Sequence, residues 1–277
     1  MSIDKFISEE LAYFLPMQKR SENATQEMKS AWRNETVSQR QRRISLEVYD
    51  LFEGRINYGP FAGLKLTKET WWGESDLGNQ CLGLYEKEIL NLLTDFDEDQ
   101  FSAFIDIGAA DGYYAIGMLK SAKVKKSICF EQSEKGRMAI QENWKRNGFP
   151  GSLEIFGEAN LETIHRLQEA DISNAFVLID IEGYEFNLLQ PEVLQKFKSC
   201  VLVIEIHNWV DDFFEKYKAL LNEASQLFDI SIVERVDRPI SSLKELRDFT
   251  DDNRLLLTSE RRPCLMRFLK LTPHENL

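Results

Sequence analysis

The sequence predicts an α/β fold, in which a doubly wound, mostly parallel sheet of seven strands follows a helical N-terminal extension. Short apolar runs alternate with helical segments from residue 101 onwards, which is the order of strand–helix–strand units. Two runs, 176–181 and 201–206, are almost continuously apolar, as in strands covered by helices on both faces. A glycine turn links the first run to a helix. These features indicate a Rossmann-like sheet.

The composition limits the classes of partner. The 277 residues are 43% hydrophobic and 29% charged, which suffices for a buried core. The net charge of −12 argues against nucleic acid or an anionic membrane as partner. No apolar run is long enough for a membrane span, and the acidic residues Asp4, Glu9 and Glu10 do not suit a signal peptide. We therefore expect a cytoplasmic location.

The four cysteines and the N-terminal zone complete the organisation. The cysteines lie far apart without a Cys-x-x-Cys pair, so buried reduced thiols are expected rather than disulfides or zinc. Residues 1–95 are predicted to form an extension and cap, and 96–277 the main domain. Within 21–43, sparse apolar residues at helical spacing predict a thin amphipathic helix. This helix is either part of a solvated extension or a docking helix for a partner subunit. The partner subunit could be a second copy of this chain.

The remaining elements follow in regular order. Strands are predicted at 104–107, 127–130, 153–156, 176–181, 201–206, 228–233 and 264–271, with helices at 112–119 and 133–147. A charged insert, 236–263, separates the last two strands and contains Ser242-x-x-Glu245, a capping box that predicts a short helix. We expect a solvated loop here; the alternative is a cap whose Arg261 and Arg262 bind an anionic substrate group.

Two adjacent tryptophans, Trp71 and Trp72, stand before the first strand. Paired tryptophans are usually part of a core, which is the favoured prediction. Their faces also suit a sugar or another ring, so a substrate entrance is the alternative.

The first candidate site is the turn Asp106-Ile107-Gly108-Ala109-Ala110-Asp111-Gly112. Glycine at the strand exit allows a sharp turn, and small residues let a ligand and the helix come close. The helix N-terminus offers free N–H groups to a carboxylate. The middle position is alanine where the dinucleotide fingerprint has glycine, so this turn alone is a weak signal.

An acidic residue, Glu131, ends the second strand. At that position a carboxylate can accept both hydroxyls of a ribose. With the preceding turn it indicates an adenosine-type ligand; without a ligand it is an exposed strand-end glutamate.

Further acidic residues cluster after the next two strands, in Asp180-Ile181-Glu182-Gly183-Tyr184-Glu185 and in Glu205-Ile206-His207. Like charges this close need a cation, hydrogen-bond donors or a raised pKa, although acids at a helix N-terminus are the alternative. His207 suits a general base, a metal ligand or a structural histidine. Asp180, Glu205 and His207 could converge on one divalent cation, Mg²⁺ or Mn²⁺. His165 and His274 are expected at the surface.

Together these residues resemble a class I S-adenosylmethionine-dependent methyltransferase, and more narrowly the FkbM family. The resemblance rests on Asp106-x-Gly108-x-Ala110-x-Gly112, on Glu131, and above all on the Asp180–Glu185 string with Glu205-Ile206-His207 at a familiar interval. It covers residues 101–207 well and the flanking segments loosely. The first 50 residues lie outside it.

The resemblance implies a role for each matching residue. The turn, with Asp106, Gly108, Ala110, Asp111 and Gly112, would hold the methionine end of S-adenosylmethionine. Glu131, with Gln132 beside it, would hold the ribose, and Gly157 and Glu158 would lie near the adenine. Asp180 would stand between the methyl group and the acceptor, and Glu86 would cover the cofactor.

The implied function is O-methylation of a hydroxyl on a sugar, a surface glycan or a related small molecule. A hydroxyl needs a base or a cation to activate it. His207 fits the base, oriented by Glu205 or Glu182, within a catalytic set of Asp180, Glu182 and His207. The metal set Asp180, Glu205 and His207 fits the cation and is slightly favoured. The alternatives are a nucleotide-dependent oxidoreductase and a non-catalytic scaffold subunit.

Overall fold

The computed structural model describes residues 2–262, 264 and 266–274. Its seven strands form one sheet in the order β3-β2-β1-β4-β5-β7-β6. The first five strands are parallel, whereas β7 lies antiparallel between β5 and β6. The predicted fold class is therefore confirmed. The strands are β1 Phe104–Ile107, β2 Lys126–Phe130, β3 Ser152–Phe156, β4 Phe176–Ile179, β5 Val201–Ile206, β6 Phe228–Val233 and β7 Arg267–Pro273.

Several strand boundaries differ from the prediction by one to three residues, and the fourth and last strands differ most. The fourth strand ends at Ile179 rather than at 181, because Glu182 and Gly183 adopt positive φ angles of 54° and 102° and turn the chain. The last strand begins at Arg267 rather than at 264. Asp180 consequently stands in the loop directly beyond the sheet.

Helices surround the sheet on both faces. They are α1 Ile3–Asn23, α2 Gln26–Asn34, α3 Val37–Leu51, α4 Leu77–Cys81, α5 Lys87–Thr94, α6 Tyr113–Lys120, α7 Glu134–Arg146, α8 Leu161–His165, α9 Glu169–Ile172, α10 Glu185–Leu188, α11 Pro191–Lys196, α12 Phe213–Ala224 and α13 Asp251–Leu257. The single helix predicted over 21–43 is wrong. Thr25 and Thr36 accept backbone N–H groups as N-caps and divide this region between three helices.

The hydrophobic core has two parts, one on each face of the sheet. Phe104 and Ile105 are neighbours on β1, yet their side chains belong to different parts, since side chains alternate across a strand. Ile44 of α3 and Phe61 pack in the same cluster as Phe104. Residues 44–96 thus share the core of the sheet, and the predicted division at residue 95 stays a prediction. No helix of residues 2–262, the longest described stretch, is long and apolar enough to cross a membrane.

The charged insert is folded onto the domain, contrary to the expectation of a solvated loop. Leu246, Phe249 and Leu257 of the insert are buried, and α13 packs against α3. The predicted capping box is also wrong. Ser242 donates to the carbonyl of Pro239, Glu245 accepts from the hydroxyl of Tyr58, and the chain forms 3-10 turns at Ile240–Ser242 and Lys244–Leu246. These tertiary contacts outweigh the local capping signal.

The cysteines follow the prediction at three of the four positions. Cys81, Cys129 and Cys200 are buried free thiols. Cys264 is also free but exposed, because it precedes β7 instead of lying inside it.

Candidate active site

A cavity of about 420 Å³ opens at the carboxyl ends of the parallel strands. In open α/β sheets this edge is where ligands bind. Most of the predicted cofactor residues line it, namely Glu86, Asp106, Gly108, Ala110, Asp111, Glu131, Gln132, Glu158 and Asp180. Gly112 and Gly157 are not in its wall. Gly112 instead lets α6 and α7 approach, because a Cβ there would meet Ile116 and Ile140 at 3.1–3.2 Å.

The glycine turn brings the ends of β1 and β4 together. Gly108 has a φ of +93°, and a Cβ on it would lie 1.7 Å from the carbonyl oxygen of Asp180. Only glycine permits both the backbone angle and this approach. The turn therefore fixes where Asp180 enters the cavity.

Glu131 is held rigidly in the cavity wall. One carboxylate oxygen accepts the N–H of Ser133 at 2.7 Å, and the other accepts the N–H of Ala110 at 2.9 Å. Burial raises the pKa of Glu131, and these two N–H groups oppose that rise. Each oxygen retains a second lone pair for a ribose hydroxyl. The absence of a side chain at Gly136 lets α7 reach this carboxylate, since a Cβ would lie 2.6 Å from the Cγ of Glu131.

The paired tryptophans stand at the cavity, so the prediction of a core position is wrong. Trp71 and Trp72 are 42% and 51% exposed and line the cavity. Their backbone N–H groups donate to the carboxylate of Asp111 at 2.8 and 3.4 Å. Asp111 thereby ties this segment to the glycine turn, which keeps both rings at the entrance.

Asp106 is a buried acid at the cavity. Its side chain is 3% exposed, and one carboxylate oxygen has no hydrogen-bond partner among the described residues. Burial raises the pKa of Asp106 to about 8; the N–H of Ala115 lowers it, and the neighbouring Asp180 and Glu131 raise it further. The cavity wall therefore contains an unsatisfied polar atom that a ligand donor can meet.

A buried chain of polar groups lies behind Asp180. Nε2 of His207 is 3.4 Å from Oδ1 of Asp180, and Nδ1 is 3.2 Å from Oε1 of Glu185. That same Glu185 oxygen accepts the main-chain N–H of His207 at 2.9 Å. His207 is 1% exposed and is not in the cavity wall. Glu185, rather than Glu182 or Glu205, is hydrogen-bonded to the imidazole.

The charges of this chain are mutually dependent. Burial raises the pKa of Asp180 to about 7, Glu86 and Glu182 add to the rise, and His207 opposes it. Burial would lower the pKa of His207, but its hydrogen bond to Glu185 and the nearby carboxylates raise it overall. Asp180 can therefore exchange a proton near neutrality.

The predicted metal set is only partly brought together. Asp180, Glu182 and His207 offer ligand atoms that all lie within 4.8 Å of one another. Glu205 also lies near His207, with 3.9 Å between Oε2 and Nε2, but it forms an ion pair with Arg262 of the insert, which contacts Glu86 at 2.5 Å. The alternative prediction for Arg262 was binding of an anionic substrate group, but Arg262 pairs with carboxylates of the protein itself. No separate role was predicted for Glu185. Glu185 is the last residue of the acidic string 180–185, so the sequence did offer a signal for it. Arg262 is far in sequence from Glu86 and Glu205, so its place in the site becomes visible only in the folded structure.

Comparisons with known proteins add only to the description of the fold. No family model matches the chain, and no curated protein does. Solved structures with a similar fold include a precorrin-6y C5,15-methyltransferase from Geobacter metallireducens, with 11% identity, a TM-score of 0.44 and coverage of 76% of this chain and 94% of that one. A putative tRNA (m1A22) methyltransferase from Streptococcus pneumoniae, in complex with S-adenosyl-L-methionine, has 16% identity, a TM-score of 0.41 and coverage of 69% and 74%.

A precorrin 8W decarboxylase from Methanobacterium thermoautotrophicum has 16% identity, a TM-score of 0.39 and coverage of 53% and 74%. At these values the likeness carries no inference about activity.

Proposed function

We propose that this protein is an S-adenosylmethionine-dependent O-methyltransferase, acting on a hydroxyl of a sugar, a glycan or a related small molecule. The observation that carries this proposal is one cavity lined by both Glu131 and Asp180. The first suits the ribose of the cofactor, and the second suits the acceptor hydroxyl. The narrower assignment to the FkbM family rests on the sequence resemblance alone.

The cavity suits the proposed cofactor in size and charge. A volume of about 420 Å³ lies within the usual range of small-molecule sites. The fixed carboxylate of Glu131 can accept ribose hydroxyls, and the orphan oxygen of Asp106 can accept a donor from the ligand. The acidic wall favours a cationic ligand. S-adenosylmethionine, when bound, supplies an activated methyl group, so the protein mainly has to align the acceptor.

The chain's own residues then activate the acceptor. Asp180 lines the cavity, and its pKa of about 7 suits proton acceptance from a hydroxyl. His207 stands behind Asp180 and is itself held by Glu185. The exposed rings of Trp71 and Trp72 offer apolar faces on which a sugar ring can stack. The predicted role of His207 as the base thus becomes, in this proposal, the positioning of Asp180.

Divalent-metal assistance stays a prediction, with a changed ligand set. Asp180, Glu182 and His207 combine two carboxylates with an imidazole, a donor set that suits Mn²⁺ or Mg²⁺. Glu205 is replaced by Glu182 in this set because Arg262 neutralises Glu205. If a cation activates the acceptor, a chelator will abolish turnover while cofactor binding survives. Unchanged turnover would leave activation to Asp180 alone.

The cavity gives less support to the alternative functions. A nicotinamide dinucleotide carries an anionic pyrophosphate, which the carboxylate of Asp111 in the glycine turn would repel. A scaffold subunit has no need of a buried carboxylate with an orphan oxygen, which is costly without a ligand.

The direct test is methyl transfer. The full chain is incubated with methyl-labelled cofactor and a panel of sugars, nucleotide sugars and lipid-linked glycans. We expect transfer to one class, lost in Asp180→Asn and retained in the exposed control Asp211→Asn. Equal transfer by both variants would contradict the role given to Asp180.

A further inference from the structure

Three carboxylates meet beside the cavity. Glu86 precedes α5, Asp180 follows β4, and Glu205 lies on β5, and each offers an oxygen within 4.8 Å of the others. Glu86 and Glu205 are 2% and 1% exposed. Like charges this close and this dry repel strongly unless a cation or a proton compensates them.

One guanidinium lies among these groups. Arg262 contacts Glu86 at 2.5 Å, forms an ion pair with Glu205, and contacts Glu260 at 3.0 Å. Its side chain is mostly buried, and its guanidinium carbon lies 5.9 Å from the ring centre of Phe268. A planar guanidinium can bridge several carboxylates at once, which a lysine ammonium does less well.

Glu86 is fixed from several sides by this arrangement. Its second carboxylate oxygen accepts the hydroxyl of Tyr114 at 2.6 Å, and its main-chain N–H donates to Glu260 at 2.9 Å. Its backbone has a φ of +41°, which non-glycine residues seldom adopt. The position of Glu86 in the cavity wall therefore depends on Arg262 and its partner Glu260.

A second arginine of the same segment strengthens the attachment. Arg238 pairs with Glu260, lies 3.5 Å from Glu88, and donates to the carbonyl of Leu84 at 3.0 Å. Both ends of the segment 238–262 are thus held against the residues around α5. The segment presents Arg262 to the carboxylate cluster as part of the folded domain.

We propose that Arg262 is a positioning residue that acts as the resident cation of the Glu86–Asp180–Glu205 cluster, in the place where these carboxylates would otherwise bind a divalent metal. It holds Glu86 in the cavity wall and neutralises Glu205. This role depends on charge as well as on packing. It does not depend on which group the protein transfers.

The proposal predicts that removal of the guanidinium creates a metal site. In Arg262→Met, the three carboxylates lose their cation and become available to Mn²⁺. We expect millimolar Mn²⁺ to raise the Tm of this variant by about 3 °C more than that of the wild type. Electron paramagnetic resonance should show one additional bound Mn²⁺. The matched control is Arg261→Met, whose arginine is exposed and which should respond as the wild type does.

Two further variants separate charge from packing. Arg262→Lys keeps a positive charge and should gain no Mn²⁺ site. Arg262→Met combined with Glu205→Gln removes one charge of each sign, so it should be more stable than Arg262→Met alone and should lose the additional Mn²⁺ response. If Arg262→Met folds poorly, the stability of the double variant relative to that of Arg262→Met still tests the proposal.

Three results would overturn the proposal. The first is an equal Mn²⁺ response in Arg262→Met and the wild type. The second is a wild-type Mn²⁺ response that Glu205→Gln removes, since a metal would then bind the cluster beside Arg262. The third is a double variant no more stable than Arg262→Met. Asp180 also belongs to the set Asp180, Glu182 and His207. Mn²⁺ bound by that set is distinguished by its persistence when Glu205 is replaced by glutamine, because Glu205 is not one of its ligands.

Discussion

At the scale of single residues, the chemistry of Asp180 depends on partners that do not touch the cavity. Glu185 is fully buried, holds His207 through both its ring and its main chain, and also accepts the N–H of Gly183 at 2.9 Å. It thereby fixes the imidazole and the loop that carries Asp180. Through His207, the charge of Glu185 can therefore influence the pKa of Asp180.

Replacement of Glu185 by glutamine tests this chain. Loss of the negative charge should lower the pKa of His207, because Glu185 helps to raise it. A positive charge on His207 lowers the pKa of Asp180, so a less cationic His207 lets that pKa rise further. The acid limb of the kcat profile should therefore move to higher pH. We expect kcat to fall about tenfold, which corresponds to about 1.4 kcal/mol. Cofactor affinity should change little.

The control for this variant is Glu192→Gln, which alters an exposed glutamate nearby in sequence. It should leave both kcat and the pH profile unchanged. An unshifted profile in Glu185→Gln would show that His207 does not transmit the charge of Glu185 to Asp180.

A second residue-scale prediction concerns the glycine turn. Gly108→Ala would put a Cβ 1.7 Å from the carbonyl oxygen of Asp180 at a positive φ, so the free energy of unfolding should fall by more than about 3 kcal/mol. Gly157→Ala is the control, since its Cβ would meet nothing within 4 Å. Denaturant unfolding should separate the two variants clearly. Similar stability of both would contradict the close approach of β1 and β4.

At the scale of elements, α7 connects the sheet to the segment that carries the tryptophans. Asn143 accepts the N–H of Thr67 at 2.7 Å and donates to the carbonyl of Asp111 at 2.9 Å. Asn147, one turn later, exchanges two hydrogen bonds with the backbone of Lys65. Asn143 and Asn147 thus hold both the glycine turn and the segment 65–67, which precedes the two tryptophans.

Asn143→Ala should weaken both connections. We expect a loss of about 1–3 kcal/mol in the free energy of unfolding, because two buried backbone groups lose their partner. Binding of S-adenosylhomocysteine should also weaken, since Asp111 and the tryptophan segment become less fixed. Gln141→Ala, exposed on the same helix, should change neither quantity. Thermal unfolding and calorimetry provide the two measurements.

The elements also show what the sequence could predict. The strands were located well because burial on both faces leaves continuous apolar runs such as those of β4 and β5. The insert was not, because the partners of Leu246 and Arg262 come from distant parts of the chain. The same applies to Trp71 and Trp72, whose place is set by the carboxylate of Asp111 rather than by their own hydrophobicity.

At the scale of the whole molecule, the acidic composition is partly concentrated in the site. Asp106 remains protonated in the folded protein until its pKa of about 8 is reached, whereas in the unfolded chain it ionises near its ordinary pKa of 3.8. Between these values the unfolded state binds fewer protons, so stability falls as the pH rises. The raised pKa values of Asp180 and His207 act in the same direction.

The stability of the ligand-free protein should therefore decrease between pH 6 and pH 8. The contribution of Asp106 to this decrease is roughly 2 kcal/mol. Asp106→Asn should remove this contribution, so the free energy of unfolding of the variant should rise relative to that of the wild type as the pH increases. The exposed Asp97→Asn serves as the control and should keep the wild-type slope. Parallel curves for Asp106→Asn and the wild type would contradict the raised pKa.

The N-terminal region leaves one prediction at this scale untested. All described residues of α1 up to Leu15 are exposed, among them Ile3, Ile7, Leu11 and Phe14. The sequence indicated a helical extension but not which surface it covers. Self-association through this helix stays a prediction.

The central claim, a cavity that binds S-adenosylmethionine, is tested most directly by binding of the demethylated cofactor. Isothermal titration of the full chain with S-adenosylhomocysteine should show one site with micromolar affinity, weakened at least tenfold in Glu131→Ala, because Glu131 accepts the ribose hydroxyls. NAD should give no heat under the same conditions. Binding of NAD, or no heat and no thermal shift with S-adenosylhomocysteine, would contradict the account.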